Sequence, residues 1–442
     1  MSENLLEDIE RRLNAKTIHE LRQVARAVGV PRPADGKKDR ILEYILQIAK
    51  GTASPVAPAV RGAHPKSDEY DRQLVADIIR CRELNLSNGG AVQKAQKLSV
   101  ASSSQFDDSD FSVDGILEFD KDRYFICGKH DVSVSRQFID RYKLRAGDFI
   151  SGKSSLENSE EYFRLSMIYS VNGVSPEDLP IRLNFEDLTP EYPDVKLKVQ
   201  TDENDLTGKL IDLFAPIGCG QRAAIIGAHG TGKSSLLKRI AKGIYENRHD
   251  VKIIFAAVDT TPEEIADLRR VFSDCDVFTS SFEVGASAHI RTVRIALEYA
   301  KRQVEAGRDV LLVLDDLSKL TRAYNSSQFV SGELSTAALD SAKRFLACAK
   351  NAKEGGSLTI LTALNPDGTF TDSAAYYGLK DLCNLHITLS SELARQRIFP
   401  AIDIGETYSF GDERLLSEDE LITAAKLRTK GYFEVVEVLK KR

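Results

Sequence analysis

Chemistry is most concentrated at Gly227-Ala-His-Gly-Thr-Gly-Lys-Ser234, which fits the pattern GxxxxGK[ST]. Glycines at this spacing let a loop wrap its backbone N–H groups around a phosphate. Gly227, Gly230, Thr231, Gly232 and Ser235 are read as the cradle, with Lys233 reaching the β- and γ-phosphates and Ser234 holding Mg²⁺ through its hydroxyl. About 80 residues on, the run DVLLVLDD ends in two acids. Asp315 is the expected second Mg²⁺ ligand, and Asp316 is a carboxylate near enough to act as a base. The chemistry implied is binding, and with a competent base hydrolysis, of ATP with Mg²⁺.

Such a loop works only between a buried strand and a helix whose N-terminus faces the anion. RAAIIG precedes it and SSLLKRIAKGIYEN follows. Apolar strands then alternate with amphipathic helices: VKIIFAAVD before PEEIADLRRVF, a helix through ALEYAKRQVEAG before DVLLVLDD, and SLTILTAL later. That alternation predicts a parallel sheet with crossover helices over 201–442. Upstream, GILEF, YFICG, DVSVS and DFISGK alternate with the period of strands and predict a small barrel over 111–172, with 173–200 a connector. Residues 1–51 read as a helical module with Leu13, Ile18, Leu21, Val24, Ala25 and Val28 on one face. A second helix, DRILEYILQIAKG, closes the module at Gly51. Residues 52–110 read as linker, with GTASPVAPAVRGAHPK rich in Pro, Gly and Ala and one helix in DEYDRQLVADIIRCREL. The fold class expected is multidomain α+β and α/β.

A net charge of −6 argues against a chain that coats nucleic acid by bulk charge, though a local basic groove needs only a few cations. The six cysteines form no CxxC pair and suit neither zinc nor a disulfide framework. No run of 18 apolar residues exists, and MSENLLEDIERR lacks the apolar core of a secretory signal. The expectation is a cytoplasmic protein with no membrane partner.

Ordered blocks across roughly 400 residues resemble the family of the bacterial transcription terminator Rho. They are Leu144-Arg-Ala-Gly-Asp148, Asn184-Phe-Glu-Asp-Leu-Thr-Pro190, Pro216-Ile-Gly-Cys-Gly-Gln-Arg222, Leu320-Thr-Arg-Ala-Tyr-Asn325, Glu354-Gly-Gly-Ser-Leu-Thr-Ile360 and Arg397-Ile-Phe-Pro-Ala-Ile-Asp403. The resemblance implies a helical N-terminal module, an OB/cold-shock-like RNA-binding barrel and a RecA-like P-loop ATPase domain. It implies a homohexameric ring around single-stranded RNA, and ATP-driven translocation that strips RNA from polymerase. Phe399 resembles the aromatic that stacks on adenine, Arg397 the arginine beside it, and Tyr124 and Phe125 what remains of the barrel's RNA-stacking aromatics.

Departures from the family are concentrated at the catalytic positions. Asp259-Thr-Thr-Pro-Glu-Glu264 puts Thr260 where the family has the glutamate that positions the attacking water, and threonine is no carboxylate base. Locally the segment reads as a helix start, with Thr261 as N-cap, Pro262 at N1 and Glu264 completing a capping box. Phe410 or Gly411 stands at the arginine-finger position and Arg414 comes a few residues late. The first channel loop, after Asn325, is shortened, and Asp367-Gly-Thr-Phe370 lacks the lysine of the second. Three readings follow: an RNA translocase that ends transcription; a weakly hydrolysing paralogue that binds ATP as a regulatory or assembly module, acting on a true Rho; and an unrelated RecA-type motor akin to a rotary ATPase subunit.

Overall fold

The structure, a computed structural model, describes residues 9, 11–13, 16–28, 38–49, 78, 111–120, 122–127, 131–156, 163–180, 182–327 and 334–441. The linker 51–66 and, apart from Ile78, the helix expected in 68–84 lie outside them. The chain divides into two compact units, 1–104 and 105–442.

In the first unit, helices Ile18–Ala27 and Lys38–Ala49 bury Leu21, Val24, Ala25, Ile41, Ile45 and Ile48 with Leu13 and Val28. Thr17 starts the first helix by exchanging bonds with Glu20, whose carboxylate accepts the Thr17 N–H at 2.8 Å. Ile18, counted in the apolar face from spacing, is 40% exposed because it occupies the helix's open first turn.

The second unit begins with a closed barrel of β1 (Phe111–Asp120), β2 (Arg123–Ile126), β3 (Val132–Val134), β4 (Phe149–Leu156) and β5 (Phe163–Val171), in the order β1-β2-β3-β5-β4. The alternating segments leave out β5. Register shifts between Ser151 and Gly152 and between Lys153 and Ser154 break its period of two along β4. A short helix, Arg136–Tyr142, was not expected either; Ser135 caps it and Lys143, at φ 50°, ends it.

After the two-residue β6 (Pro190–Glu191) and helix Leu206–Phe214 come β7 (Arg222–Ile226), β8 (Lys252–Thr260), β9 (Asp276–Ser281), β10 (Val310–Leu314), β11 (Lys350–Ala352), β12 (Ser357–Leu364), β13 (Leu385–Thr388) and β14 (Tyr408–Ser409). The main path runs β14-β13-β7-β12-β10-β8-β9. All its neighbours are parallel except the edge pair β13–β14. Alternate residues feed two apolar layers. On β7, Ala223 and Ile225 join one layer, and Ala224 and Ile226 join the other. Burial on both faces explains why these strands read as continuous apolar runs. Helix Lys233–Asn247 packs in the first layer and helices Ala286–Glu305, Leu317–Ser327 and Thr336–Ala347 in the second.

The barrel is fastened to helix Ala286–Glu305 at both of that helix's ends. Near its start, Arg291 forks onto Glu118 of β1 at 2.9 and 3.0 Å. At its end, Arg145 reaches Glu305 at 2.9 Å, while Arg182 pairs with Asp148, whose side chain is fully buried. Between them Gly147, at φ 94°, lies so close to the helix that a Cβ would fall 2.3 Å from the Glu298 carbonyl. The block Leu144-Arg-Ala-Gly-Asp148 is thus the joint between the barrel and the sheet domain. Likewise Glu354 accepts both the N–H and the hydroxyl of Thr189 at 2.8 Å, which ties two other resemblance blocks together.

Candidate functional site

The phosphate loop leaves the carboxyl end of β7, where ligands of parallel sheets bind. Gly230 and Gly232 sit at φ 81° and 96°, and helix Lys233–Asn247 starts directly after them with no side-chain cap. Its first-turn N–H groups are therefore left for an anion. Lys233 donates to the carbonyls of Gly227 at 2.6 Å and Ala228 at 2.9 Å. Burial lowers its pKa, against the pull of Asp316, Asp372 and Asp367. First-turn amides without a side-chain cap and an ammonium lying across the loop fit the triphosphate that the sequence implies.

Asp315 and Asp316 follow β10, and Asp259-Thr260 end β8, two strands of the same carboxyl edge. Asp315 is heavily engaged. It accepts the Val258 N–H at 3.1 Å, contacts the Thr260 hydroxyl at 3.2 Å, and pairs with Lys319 at 3.0 Å. Burial raises its pKa, with Lys319 opposing. Asp316 accepts the Ser318 N–H at 2.7 Å, and burial, then the charge of Asp315, pushes its pKa up to about 6. Buried Thr260 also donates to Val258 O at 2.9 Å, so its hydroxyl is turned back onto the strand end. Thr261 does cap helix Pro262–Val271 through the Glu264 N–H, with Pro262 at its start, but only that half of the expected capping box is made. Lys319, four residues past Asp315, was missed because nothing local to a lone lysine marks it.

Beside the loop lies a cavity of about 480 Å³. Gly230, Thr231, Gly232 and Ser235 line one side, and Phe399, Pro400 and Ala401 another. The Phe399 ring approaches Gly232 to within 3.5 Å of where a Cβ would stand and is 51% exposed to the opening. Arg397 is exposed at φ 61° and is not among the lining residues. The lining includes Thr207, Leu236, Arg239 and Leu389, which sequence reading missed. Helical spacing from Ser235 to Arg239 was the signal available for one of them; Thr207 and Leu389 arrive from remote elements.

On the barrel, Tyr124 shares the inward side of β2 with Ile126 and packs at the core's edge. Its ring centre is 4.7 Å from that of Phe119, its partner in register on β1. Phe125 points the other way, toward Arg291, whose guanidinium is 5.7 Å from its ring centre. Farther along the sheet domain, Phe370 is 72% exposed at the head of helix Phe370–Leu379. Arg322 links that helix to β8 by pairing with Asp372 and, at 3.7 Å, with Asp259. Arg414 lies over Tyr192 at 4.2 Å. Residues 328–333 of the first channel loop are outside the described residues. Burial pushes the Cys127 and Cys383 thiols up to about 12, which leaves neither a nucleophile.

A phosphate-binding loop on a parallel sheet, in one unit with a closed five-stranded barrel, defines a P-loop nucleotide-binding protein with an OB-like accessory domain. The nucleotide-binding domain of the ATP synthase alpha/beta family matches residues 208–409, and the RNA-binding domain of the Rho termination factor matches 113–177. Transcription termination factor Rho of Pseudomonas fluorescens biotype C is 33% identical over 374 residues, 80% of this chain and 89% of that one. Transcription termination factor Rho of Pseudomonas aeruginosa is 37% identical over 331 residues, 71% and 79% of the two chains. The chain belongs to the Rho transcription termination factor family. A solved ATPase from the type III secretion system of pathogenic bacteria aligns with a TM-score of 0.48 at 22% identity, over 61% of this chain and 81% of that one.

Proposed function

We propose that this chain is a Rho-type terminator that uses ATP to move along single-stranded RNA. The observation that supports it most is the shared carboxyl edge of the sheet, where the phosphate loop, Asp315 and Asp316 stand together in the unit that also carries the barrel. Lys233 would leave the Gly227 and Ala228 carbonyls for the β- and γ-phosphates, while the first-turn amides through Ser235 bind phosphate oxygens. Ser234 and Asp315 would hold Mg²⁺, which supplies charge neutralisation on the phosphates when bound. Phe399 offers its face to the base, and Arg397 reaches the site only by turning from its exposed position. Asp316 takes the base role that Thr260 cannot fill. Tyr124, with Phe119 beside it, presents the barrel's stacking surface to RNA, whereas Phe125 is engaged at the joint. Family likeness supports a homohexameric ring, a cytoplasmic setting and RNA polymerase as the partner.

A second reading rests on the two contacts of the Thr260 hydroxyl. With Thr260 turned onto Val258 and Asp315, the chain binds ATP but turns it over weakly, and serves as a regulatory or assembly module alongside a fuller Rho.

Steady-state phosphate release by the full chain, with and without single-stranded RNA, separates the two. The motor reading expects RNA-stimulated release that Lys233→Ala abolishes. Release at background while ATP still binds would overturn it in favour of the second.

A further inference from the structure

The carboxyl edge that carries the phosphate loop also holds a cation that the proposed chemistry does not use. Lys319, on helix Leu317–Ser327, donates to Asp315 Oδ2 at 3.0 Å and to the Val258 carbonyl at 3.2 Å. Both partners of the pair are sheltered, the lysine side chain 23% and the aspartate 19% exposed. Among the described residues Lys319 makes no other salt bridge. Thr260, at the end of β8, brings only a neutral hydroxyl to the same oxygen, at 3.2 Å. The other cations of this edge are engaged elsewhere. Lys233 lies on the carbonyls of Gly227 and Ala228, and Arg322 on Asp372 and Asp259.

The adjoining carboxylates of Asp315 and Asp316 are hard oxygen donors of the kind that Mg²⁺ and Mn²⁺ take. Left to themselves they would draw a divalent ion whether or not a nucleotide was present. An ammonium 3.0 Å from Asp315 opposes this twice over. It offsets the charge that attracts the ion, and it repels a second cation in a sheltered place where salt screens poorly. The opposition is one of charge, so it holds even where Asp315 keeps lone pairs to spare. Phosphates shift the balance, because an ion that arrives on them brings negative charge of its own.

We propose that Lys319 is a resident counter-ion that keeps Asp315 from taking a divalent cation by itself, so that the metal enters only together with the nucleotide's phosphates. The proposal rests on the reading of Asp315 as a metal ligand of the ATP site.

The test is titration of the full chain with Mn²⁺, followed by the electron paramagnetic resonance of the free ion, in the absence of nucleotide. The chains compared are the wild type, Lys319→Gln, Lys319→Arg, and Lys319→Gln combined with Asp315→Asn. Lys319→Gln should bind Mn²⁺ at least roughly tenfold more tightly than the wild type. Lys319→Arg, which keeps the charge, should match the wild type, and adding Asp315→Asn should remove the gain. ADP affinity in EDTA, measured by isothermal titration, should stay within about threefold in Lys319→Gln, since only a screened charge at a distance is lost; it also reports that the variant is folded. Equal Mn²⁺ affinity in the wild type and Lys319→Gln overturns the proposal, as does the same gain in Lys319→Arg or a gain that survives Asp315→Asn. A larger fall in metal-free ADP affinity makes Lys319 a phosphate ligand and overturns it too. A wild type that binds no ADP, with or without Mn²⁺, overturns the site reading itself and this inference with it.

Discussion

On the proposed function, two residues decide whether the phosphate loop is a catalyst or a clamp. Lys233 is held by two loop carbonyls and makes no salt bridge among the described residues, so its replacement should spare the fold and strike the ligand. Asp316 is the more informative. It stands next to Asp315, receives only one described backbone bond, and is half-buried, as a base that must meet a single water should be. Asp316→Asn is therefore expected to slow hydrolysis by roughly 100-fold or more while ATP affinity stays within about threefold. Single-turnover phosphate release and equilibrium binding on the same preparation check it. An unchanged rate would place the base elsewhere. Lys233 and Asp315 were legible in the sequence because backbone geometry fixes their spacing from the strand ends that carry them. Arg239, Asp205 and Thr207 were not, since they meet only when a helix, its preceding cap and the phosphate-loop helix are packed together.

At the level of elements, the joint between barrel and sheet domain depends on a backbone contact as much as on charge. Gly147 and Gly173 make a matched pair: both have positive φ, 94° and 83°, but only Gly147 faces backbone, while nothing lies within 4 Å of a Cβ at Gly173. Alanine at either costs the conformational penalty, about 1–2 kcal/mol. At Gly147 it must also push the barrel off helix Ala286–Glu305. Gly147→Ala should thus lose at least about 1 kcal/mol more than Gly173→Ala in urea unfolding, and should weaken stimulation of hydrolysis by RNA. Equal losses would mean that the joint yields freely. This joint shows how resemblance and physics divide the labour of reading. The block at 144–148 was visible as a pattern, but its purpose needs Glu298, Glu305 and Arg182, all remote in sequence. Strand β5 escaped for the opposite reason: its own bulged pairing scrambles the local alternation that would have announced it. Strands β7, β8, β10 and β12, apolar and bounded by helices, could hardly be misread, whereas the parallel strands β9 and β13 were not anticipated: β9 is half-buried over most of its length and β13 is only four residues long.

Across the whole molecule, a net charge of −6 has to coexist with RNA binding. A negative chain draws its affinity less from bulk charge than from stacking and a few phosphate contacts. The logarithm of RNA affinity plotted against that of salt concentration should then slope no more steeply than about −3, the value for about four phosphates on a single strand. A much steeper slope would reveal a basic track engaged by the RNA and overturn this expectation. Acid acts on the same molecule through its buried histidines. His289, bonded to Ser280 at 2.8 Å, and His386, at 2.9 Å from Lys380 O, both have pKa values lowered by burial; around His289, Asp259 pulls up and Lys319 pushes down. In the unfolded chain each would protonate near pH 6.5. Between that value and the lower folded one, the unfolded state binds more protons, so stability rises with pH. The contribution of the neutral, buried rings is complete above about pH 6.5 and is lost as pH falls through their folded pKa values. Urea midpoints at pH 7.5 and pH 5.5 should therefore show the wild type weaker in acid, and His289→Gln, which keeps a hydrogen-bonding group but cannot titrate, should narrow that gap. A variant with the full acid sensitivity of the wild type would assign the effect to other groups, and would mean that the ring beside Ser280 titrates in place without disturbing the helix that carries the barrel.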